Sequence, residues 1–337
     1  MREAGRQKSG GKGPSPVMWA LAVFVLLAAG LVGFFLARGQ QSPTVPVQRG
    51  QERTATEDAE SEDWGAYVKY EGVTYVKKDD LKAVLFLGVD NVTYDTDIVG
   101  VGGRADTIML LLMNTREKTA QILTISRDTM VNVDVYDTTG RRLNSGLLQI
   151  TMQYAYGDSP KRSSLLMERR VSELIHGINI NGYLSLTMDG IAPIVDGMGG
   201  ITLTMDADYT DISPAYTKGT TVEMNGREAE HFVRYRDTDT LGSNGGRMQR
   251  QVLFLQALFG QMQSGKVSAR KVLDLADGYL FTDLDADTLV DFSGYTLEEE
   301  SYTLPGLDKQ GAHHDEFYVD DEAVKALLIE LFYQPRS

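Results

Sequence analysis

The chain has 337 residues, no cysteine and a formal net charge of −14, which excludes disulfides, thiolate metal sites and cysteine nucleophiles. Beyond Arg38 there are 28 basic and 46 acidic residues, a balance of −18, which argues against nucleic acid as a partner and against general adhesion to anionic lipid head groups. Any anionic ligand must therefore be held by a local cluster of positive charge.

The first predicted element is an uncharged run of 21 apolar residues, Val17–Ala37. At about 1.5 Å per residue it spans roughly 31 Å, the thickness of a hydrocarbon core. The four bases and one acid before it predict a cytoplasmic N-terminus. A cleaved signal peptide is the alternative, but its apolar core is usually only about 7–15 residues long, and no A-x-A site stands at the end of the run, directly before Arg38. We expect a cytoplasmic tail over 1–16 and a single-pass helix over 17–37 in the cell membrane, with the rest extracytoplasmic.

Residues 38–67 are polar and have no apolar period. Such a segment cannot bury enough surface to order itself, so it is predicted to be a flexible extracytoplasmic tether. Its random-coil reach would keep the following domain within roughly 30 Å of the bilayer.

From Lys82 the pattern indicates a mixed α/β domain. The apolar runs Ala83–Gly88, Thr107–Met113 and Gln121–Ser126 predict buried strands, and the short link between the last two predicts an antiparallel pair. Further elements are a strand over Ile201–Met205 and helices over 143–156, 163–176, 189–198 and 246–263.

Two aspartates stand at the ends of the first two strands. Asp90 closes one and Asp106 opens the next. If these strands are neighbours, both carboxylates lie at one edge of the sheet, and such hard oxygen ligands suit Mg²⁺ or Mn²⁺. Each aspartate alone would equally serve as a turn cap.

Arginines provide the local positive charge. Arg127 follows the third strand; Arg234 and Arg236 are two apart, which in an extended segment puts them on one face. Arg247 and Gln251 are one turn apart at the start of the clearest amphipathic helix, where free backbone N–H groups favour an anion. Paired guanidinium forks predict a diphosphate ligand, while structural ion pairing is the alternative. By contrast, His313 and His314 lie in an acidic polar stretch and are predicted to form a solvated turn.

In this order, the segments resemble the LytR-CpsA-Psr family of cell-envelope proteins of Gram-positive bacteria. The matching segments are LFLGVD (85–90), GRADTIMLL (103–111), ISRDTMV (125–131), RLNSG (142–146), GINING-Y (177–183), IVDGMGGI (194–201), GREAEHFVRYR (226–236) and GGRMQRQ (245–251). Ser126 departs from the family pattern, which commonly has proline there, and the stretch between Asp90 and Asp106 is longer than usual.

The resemblance implies a central mixed β-sheet flanked by helices on both faces. It implies a catalytic domain over 68–263, with 264–337 as a C-terminal extension packed on it. The implied enzyme moves a glycopolymer, such as teichoic acid or capsule, from an undecaprenyl diphosphate carrier to peptidoglycan, and an apolar pocket, expected from the segments around 143–195, receives the polyprenyl tail.

By the same resemblance, Asp90 and Asp106 would bind Mg²⁺. The residues implied to bind the diphosphate are Arg104, Arg127, Arg234, Arg236, Arg247 and Gln251, and Arg127, Arg236 and Asp106 are implied to be catalytic. The general base is open among Asp106, Asp128 and Asp237. The same residues would serve a polyprenyl diphosphate hydrolase with water as acceptor, and a lipid-binding regulatory module without turnover is a third hypothesis.

Overall fold

The computed structural model describes residues 64–90, 100–237 and 239–336. The predicted cytoplasmic tail (1–16), the predicted membrane helix (17–37) and all but the last few residues of the predicted tether (38–67) lie outside the described residues. Within those described ranges, no helix is both long enough and apolar enough to span a bilayer.

Fifteen strands are present in the described part of the chain. In chain order they are β1 Tyr67–Tyr70, β2 Val73–Lys77, β3 Leu81–Asp90, β4 Arg104–Asn114, β5 Thr119–Thr124, β6 Met130–Tyr136, β7 Arg142–Gln149, β8 Tyr183–Thr187, β9 Ile201–Thr204, β10 Thr221–Met224, β11 Leu280–Thr282, β12 Thr296–Thr303, β13 Gly306–Gln310, β14 Asp315–Val319 and β15 Tyr333–Pro335.

Seven α-helices accompany them in the same described ranges. They are α1 Pro160–Leu174, α2 Ile191–Met198, α3 Gly226–Arg234, α4 Asn244–Gln263, α5 Ala269–Leu275, α6 Ala286–Asp291 and α7 Asp321–Phe332, with short 3-10 helices at Ile150–Tyr156, Met188–Gly190 and Phe292–Gly294.

The core of the domain is a six-stranded mixed sheet in the order β11-β8-β3-β4-β5-β12. β3–β4 and β4–β5 are antiparallel, whereas β8 and β12 run parallel to their neighbours β3 and β5. The predicted mixed α/β class and the predicted antiparallel pairing of the second and third apolar runs are confirmed.

Alternate residues of the central strands face two separate cores. Leu85 and Leu87 pack with the 3-10 helix Ile150–Tyr156, α1 and α7 on one face. Val84 and Leu111 pack with α4 on the other. This alternation explains the continuous apolar runs in the sequence, because a strand covered on both faces has no polar side.

The last quarter of the chain is integral to the sheet. Residues 264–337, predicted to be an extension packed on the catalytic domain, contribute its two outer strands, β11 and β12. They also contribute β15, which pairs with β2, and the hairpin β13–β14.

Two local predictions are wrong. The first half of the stretch predicted as a helix over 143–156 is strand β7, paired antiparallel with β6, and the second half is a 3-10 helix. The segment predicted to be extended through Arg234 is instead helix α3. This helix begins with a complete capping box, in which Asn225 and Glu228 satisfy each other's backbone N–H groups.

Candidate active site

The two aspartates meet at a β-bulge between β3 and β4. Gly88 pairs with Thr107 and Val89 with Ala105, so Asp106 is left without an opposite residue. The Asp90 carboxylate accepts a hydrogen bond from the Arg104 N–H at 2.9 Å. A bulge turns a side chain out of the regular alternation, and here it brings Asp106 to the sheet edge that holds Asp90, as the sequence predicts.

Two arginines converge on Asp106. Arg127 donates to its Oδ1 atom, and the Nη1 atom of Arg247 lies 3.6 Å from its Oδ2 atom. Thr151 makes a longer hydrogen bond of 3.4 Å to Oδ1. The end of β5 and the start of α4 thus place both guanidinium groups around one carboxylate.

Arg236 forms the other side of the same cluster. Its Nη2 atom donates to Asp315 at 2.7 Å and lies 3.6 Å from Asp128, while its Nε atom donates to Ser243 at 3.0 Å. Asp128 is in turn 3.5 Å from the Nε atom of Arg127. Arg127, Arg236 and Arg247 therefore share one set of carboxylates.

Arg234 lies apart from this cluster. It ends helix α3 and pairs with Glu230 at 2.6 Å and with Asp189 at 3.6 Å. The inference that Arg234 and Arg236 leave the same face is therefore wrong, because the backbone there is helical rather than extended. Arg104 is exposed at the bulge, next to Asp90 in register.

Gln251 is buried one turn along α4 from Arg247. Its amide nitrogen donates to the Val233 carbonyl at 3.2 Å, and its Oε1 atom has no hydrogen-bond partner among the described residues. Three further buried atoms of the site share this condition: Arg127 Nε, Arg247 Nε and Asp128 Oδ2. Unsatisfied buried polar atoms are rare in folded proteins, so their concentration here indicates a site shaped for a ligand.

Sequence reasoning missed the residues that support this cluster. Asn244 donates to Ser126 at 3.0 Å and accepts from Arg247 at 2.6 Å, so Ser126, where the family commonly has proline, helps to orient an arginine. Gln149 donates to both Asp128 and the Asp315 carbonyl. Asp315 comes from the stretch predicted to be only a solvated turn, although His313 and His314 beside it are exposed as expected.

Burial shifts the pKa values of several groups in the site so that the uncharged form of each is favoured. Burial first, and the Asp106 carboxylate second, raise the pKa of Asp90. Burial also raises the pKa of Asp128, against the opposing effect of the surrounding arginines. It lowers the pKa of Arg247 to about 10.

An apolar cavity opens beside the charged cluster. A space of about 130 Å³ lies between the sheet and α4, and a second of about 70 Å³ shares much of its lining and reaches Gln251 and Thr107. Thr107 follows Asp106 in the chain, so the apolar space extends to the cluster. The predicted segment 143–195 contributes only five residues to the lining of the two spaces; the rest come chiefly from α4 and residues 269–292. These five are Leu184, Leu186, Met188, Ile191 and Ile194.

The fold and site define a mixed α/β domain that presents an arginine-rich sheet edge next to an apolar cavity. The LytR_cpsA_psr family model matches residues 47–331. The chain therefore belongs to the LytR-CpsA-Psr family, as its ordered motifs predict.

Named relatives of this chain include two curated proteins. It is 29% identical over 215 residues to the polyisoprenyl-teichoic acid–peptidoglycan teichoic acid transferase TagU of Oceanobacillus iheyensis, an alignment covering 63% of this chain and 62% of that protein. It is 26% identical over 272 residues to the corresponding transferase TagV of Bacillus subtilis, covering 75% of this chain and 65% of that protein. The chain thus spans less than two thirds of the length of each.

Solved structures share the fold. A structure described as TagT bound to LI-WTA superposes with a TM-score of 0.57 at 25% identity and covers 75% of this chain and 90% of that one. Crystalline TagV of B. subtilis gives a TM-score of 0.57 at 24% identity, covering 75% of this chain and 96% of that one.

Proposed function

We propose that this protein is a phosphotransferase that moves a glycopolymer of the teichoic acid type from a polyprenyl diphosphate carrier, expected to be undecaprenyl diphosphate, to peptidoglycan. The observation that carries the proposal is the cluster of buried Arg247 and half-buried Arg127 and Arg236, with unsatisfied polar atoms, beside an apolar cavity. A ligand with a diphosphate head and an isoprenoid tail matches both halves of this site. The names of the relatives suggest teichoic acid as the polymer and peptidoglycan as the acceptor.

Arg127, Arg236 and Arg247 are the residues that would grip the diphosphate. Guanidinium forks match phosphate oxygens in pairs, and a dry site strengthens each contact. Gln251 stands where the apolar cavity meets the cluster and would place its amide at the junction of head and tail. Arg104 would add charge from the exposed rim.

The charge of the cluster favours a cation as a further component. Arg127, Arg236 and Arg247, together with Arg104 at the rim, face Asp90, Asp106, Asp128 and Asp315, which leaves no excess positive charge. A dianionic diphosphate would need a further positive charge to be neutralised. Asp90 and Asp106 fit Mg²⁺, or Mn²⁺, because they are neighbouring hard oxygen donors; burial first, and the Asp106 charge second, raise the pKa of Asp90. Mg²⁺ bound there would neutralise charge on the phosphoryl oxygens.

The proposed reaction is a single displacement at phosphorus. A peptidoglycan hydroxyl attacks the phosphorus joined to the glycopolymer, the new P–O bond forms, and the bond to the lipid phosphate breaks, so that lipid phosphate leaves. The hydroxyl proton passes to a carboxylate. Asp106 and Asp128 lie in the cluster, whereas the Asp237 carboxylate accepts hydrogen bonds from Thr240 and the Asp239 N–H in a surface turn.

The predicted membrane anchor belongs to this proposal. A lipid-linked donor presents its diphosphate at the bilayer surface, so a domain tethered near that surface on the extracytoplasmic side would reach it. Residues 17–37 would supply the anchor and residues 38–67 the reach.

The test is transfer by purified protein with lipid-linked glycan as donor, with and without peptidoglycan. Arg127→Ala and Arg236→Ala should each lower transfer by about 100-fold or more, because preorganised charge of this kind contributes about 2.7–4 kcal/mol per group. Arg116→Ala is the matched control, since Arg116 is 77% exposed and pairs with Asp80, outside the cluster. Native transfer by either cluster variant would overturn the proposal. Release of free glycan phosphate alone, even with peptidoglycan present, would favour the hydrolase.

A further inference from the structure

A second concentration of arginine lies outside the cluster described above. A polar groove of about 500 Å³ runs between the hairpin β6–β7 and helix α1. We call it the hairpin groove; its lining residues are Asn132, Asp134, Arg142, Ser145, Arg169, Arg170 and Glu173.

Asp134 organises the arginines of the hairpin groove. It is 2% exposed; one carboxylate oxygen accepts from Arg142 at 2.7 Å, and the other lies against Arg169 and at 3.2 Å from Arg170. Glu173 also pairs with Arg169 at 3.5 Å and with Arg170 at 2.5 Å. Three guanidinium groups therefore face two carboxylates, which leaves the hairpin groove with one excess positive charge. Arg142 and Arg169 remain about half exposed and present that charge to solvent.

Arg170 supplies an independent sign of a ligand. It is 8% exposed, and its Nε atom has no hydrogen-bond partner among the described residues. Only one other buried side-chain atom in the described ranges outside the proposed active site shares this condition. Residues 130–176 also carry six bases and five acids, in contrast with the strongly acidic balance of the part beyond Arg38.

The hairpin groove lies on the side of the sheet opposite the apolar cavity. The apolar cavity contacts the sheet face that carries Phe86 and Leu111, whereas α1 and Val131 of β6 pack on the opposite face. An in-line displacement needs the attacking oxygen opposite the leaving oxygen. If the lipid phosphate leaves toward the cavity, the acceptor arrives from the face that carries the hairpin.

Strand β7 connects the active-site cluster to the hairpin groove, and its length between them suits an acceptor that reaches both. Gln149 contacts Asp128 in the cluster, and Ser145 lines the hairpin groove. Four residues of strand separate them, or about 13 Å.

We propose that the hairpin groove binds the peptide carboxylates of the peptidoglycan acceptor while a sugar hydroxyl of the same glycan enters the active site. The inference rests on the proposed function and names its acceptor subsite. Arg142 and Arg169 contact the carboxylate, and Asp134 is the positioning residue that fixes them.

The experiment measures acceptor KM and kcat of the full-length protein with saturating lipid-linked donor. The acceptor is soluble peptidoglycan glycan bearing its stem peptides, compared with the same glycan after the peptides are removed. The variants are Arg169→Gln, which leaves Asp134 with two arginines, and Arg142→Gln combined with Arg169→Gln. Arg141→Gln is the matched control, because Arg141 is the next residue but pairs with Asp137 at the hairpin tip.

We expect the double variant to raise acceptor KM by about five- to tenfold for the peptide-bearing glycan, from two partly exposed charge contacts. KM for the peptide-free glycan, donor KM and the effect of Arg141→Gln should stay within about twofold, the usual size of a change at an uninvolved surface residue. Arg142→Lys with Arg169→Lys should restore part of the affinity, because the charge remains.

Unchanged acceptor KM in both glutamine variants would overturn the inference. An equal rise with the peptide-free glycan would overturn it as well, and so would a rise in donor KM, which would assign the groove to phosphates of the donor polymer. Direct binding of peptide-bearing glycan, measured without donor, separates the two proposals. Wild-type protein that binds this glycan through Arg142 and Arg169 but transfers nothing would refute the proposed function alone.

Discussion

Asp315→Asn should change stability and ligand affinity in opposite directions. Asp315 and Arg236 are 11% and 17% exposed and meet at 2.7 Å. A hydrogen bond to a charged group contributes about 1.5–3 kcal/mol. Arg236 keeps its contacts with Ser243 and Asp128, and asparagine keeps an acceptor oxygen. We therefore expect a loss of about 1–2 kcal/mol in the free energy of unfolding.

The same change should strengthen diphosphate binding. A unit charge about 4 Å from another contributes up to about 4 kcal/mol at an effective dielectric constant of 20. Because a bound diphosphate would compete with Asp315 for Arg236, removing that charge should tighten binding at least about tenfold, or about 1.4 kcal/mol.

The assay pairs urea unfolding with calorimetric titration of a soluble short-chain prenyl diphosphate in the presence of Mg²⁺. Glu316→Gln is the control, because it removes the adjacent charge, which accepts a hydrogen bond from Tyr318 and not from the arginine cluster. Equal or weaker diphosphate binding by Asp315→Asn would show that Asp315 does not compete for Arg236.

Two further predictions concern stability. Asn225→Ala removes the capping box of α3 and should lower the free energy of unfolding in urea by about 1 kcal/mol without changing transfer; an unchanged midpoint would show that the cap is not formed in solution. Burial and Asp106 raise the pKa of Asp90 above 3.8, so its contribution to stability, present below that pH, is lost as pH rises through the raised pKa. In the presence of a chelator, the melting temperature of Asp90→Asn should therefore increase relative to that of the wild type as the pH rises from about 3 to about 7. A difference in melting temperature that stays constant over this pH range would contradict the raised pKa.

The sequence predicts the central strands well because burial on both faces leaves a strong signal. Three consecutive apolar runs became β3, β4 and β5, and the short link between the last two correctly indicated an antiparallel pair. The same reasoning brought Asp90 and Asp106 to one edge. The bulge that turns Asp106 out of register could not be predicted, because it depends on how β3 and β4 pair rather than on local composition.

The sequence before Arg234 contains a helix-start signal that predicts its conformation correctly. Asn225 followed three residues later by Glu228 is the pattern of a capping box, and it predicts the helix that directs Arg234 away from Arg236. Asp315 left no such signal. Its contact with Arg236 joins residues 79 apart in the chain, and only the packing of the hairpin β13–β14 brings them together.

Strand β7 is a case in which tertiary pairing overrides local preference. Its apolar residues do not alternate cleanly, and a helix was the simpler interpretation of 143–156. Pairing with β6 fixes the strand, and exposure of Leu143 and Leu147 accounts for the irregular pattern.

The outer strand β12 has a consequence for biosynthesis. It lies beside β5, and the hydrogen bond between the side chains of Gln121 and Glu298 spans 177 residues. Contacts so distant in sequence form late and slow the search for the native state. Until residues 296–303 have been synthesised, β5 has an unpaired edge that can associate with other chains. The emerging protein thus passes through a period of exposure to aggregation that ends only when nearly the whole polypeptide is available.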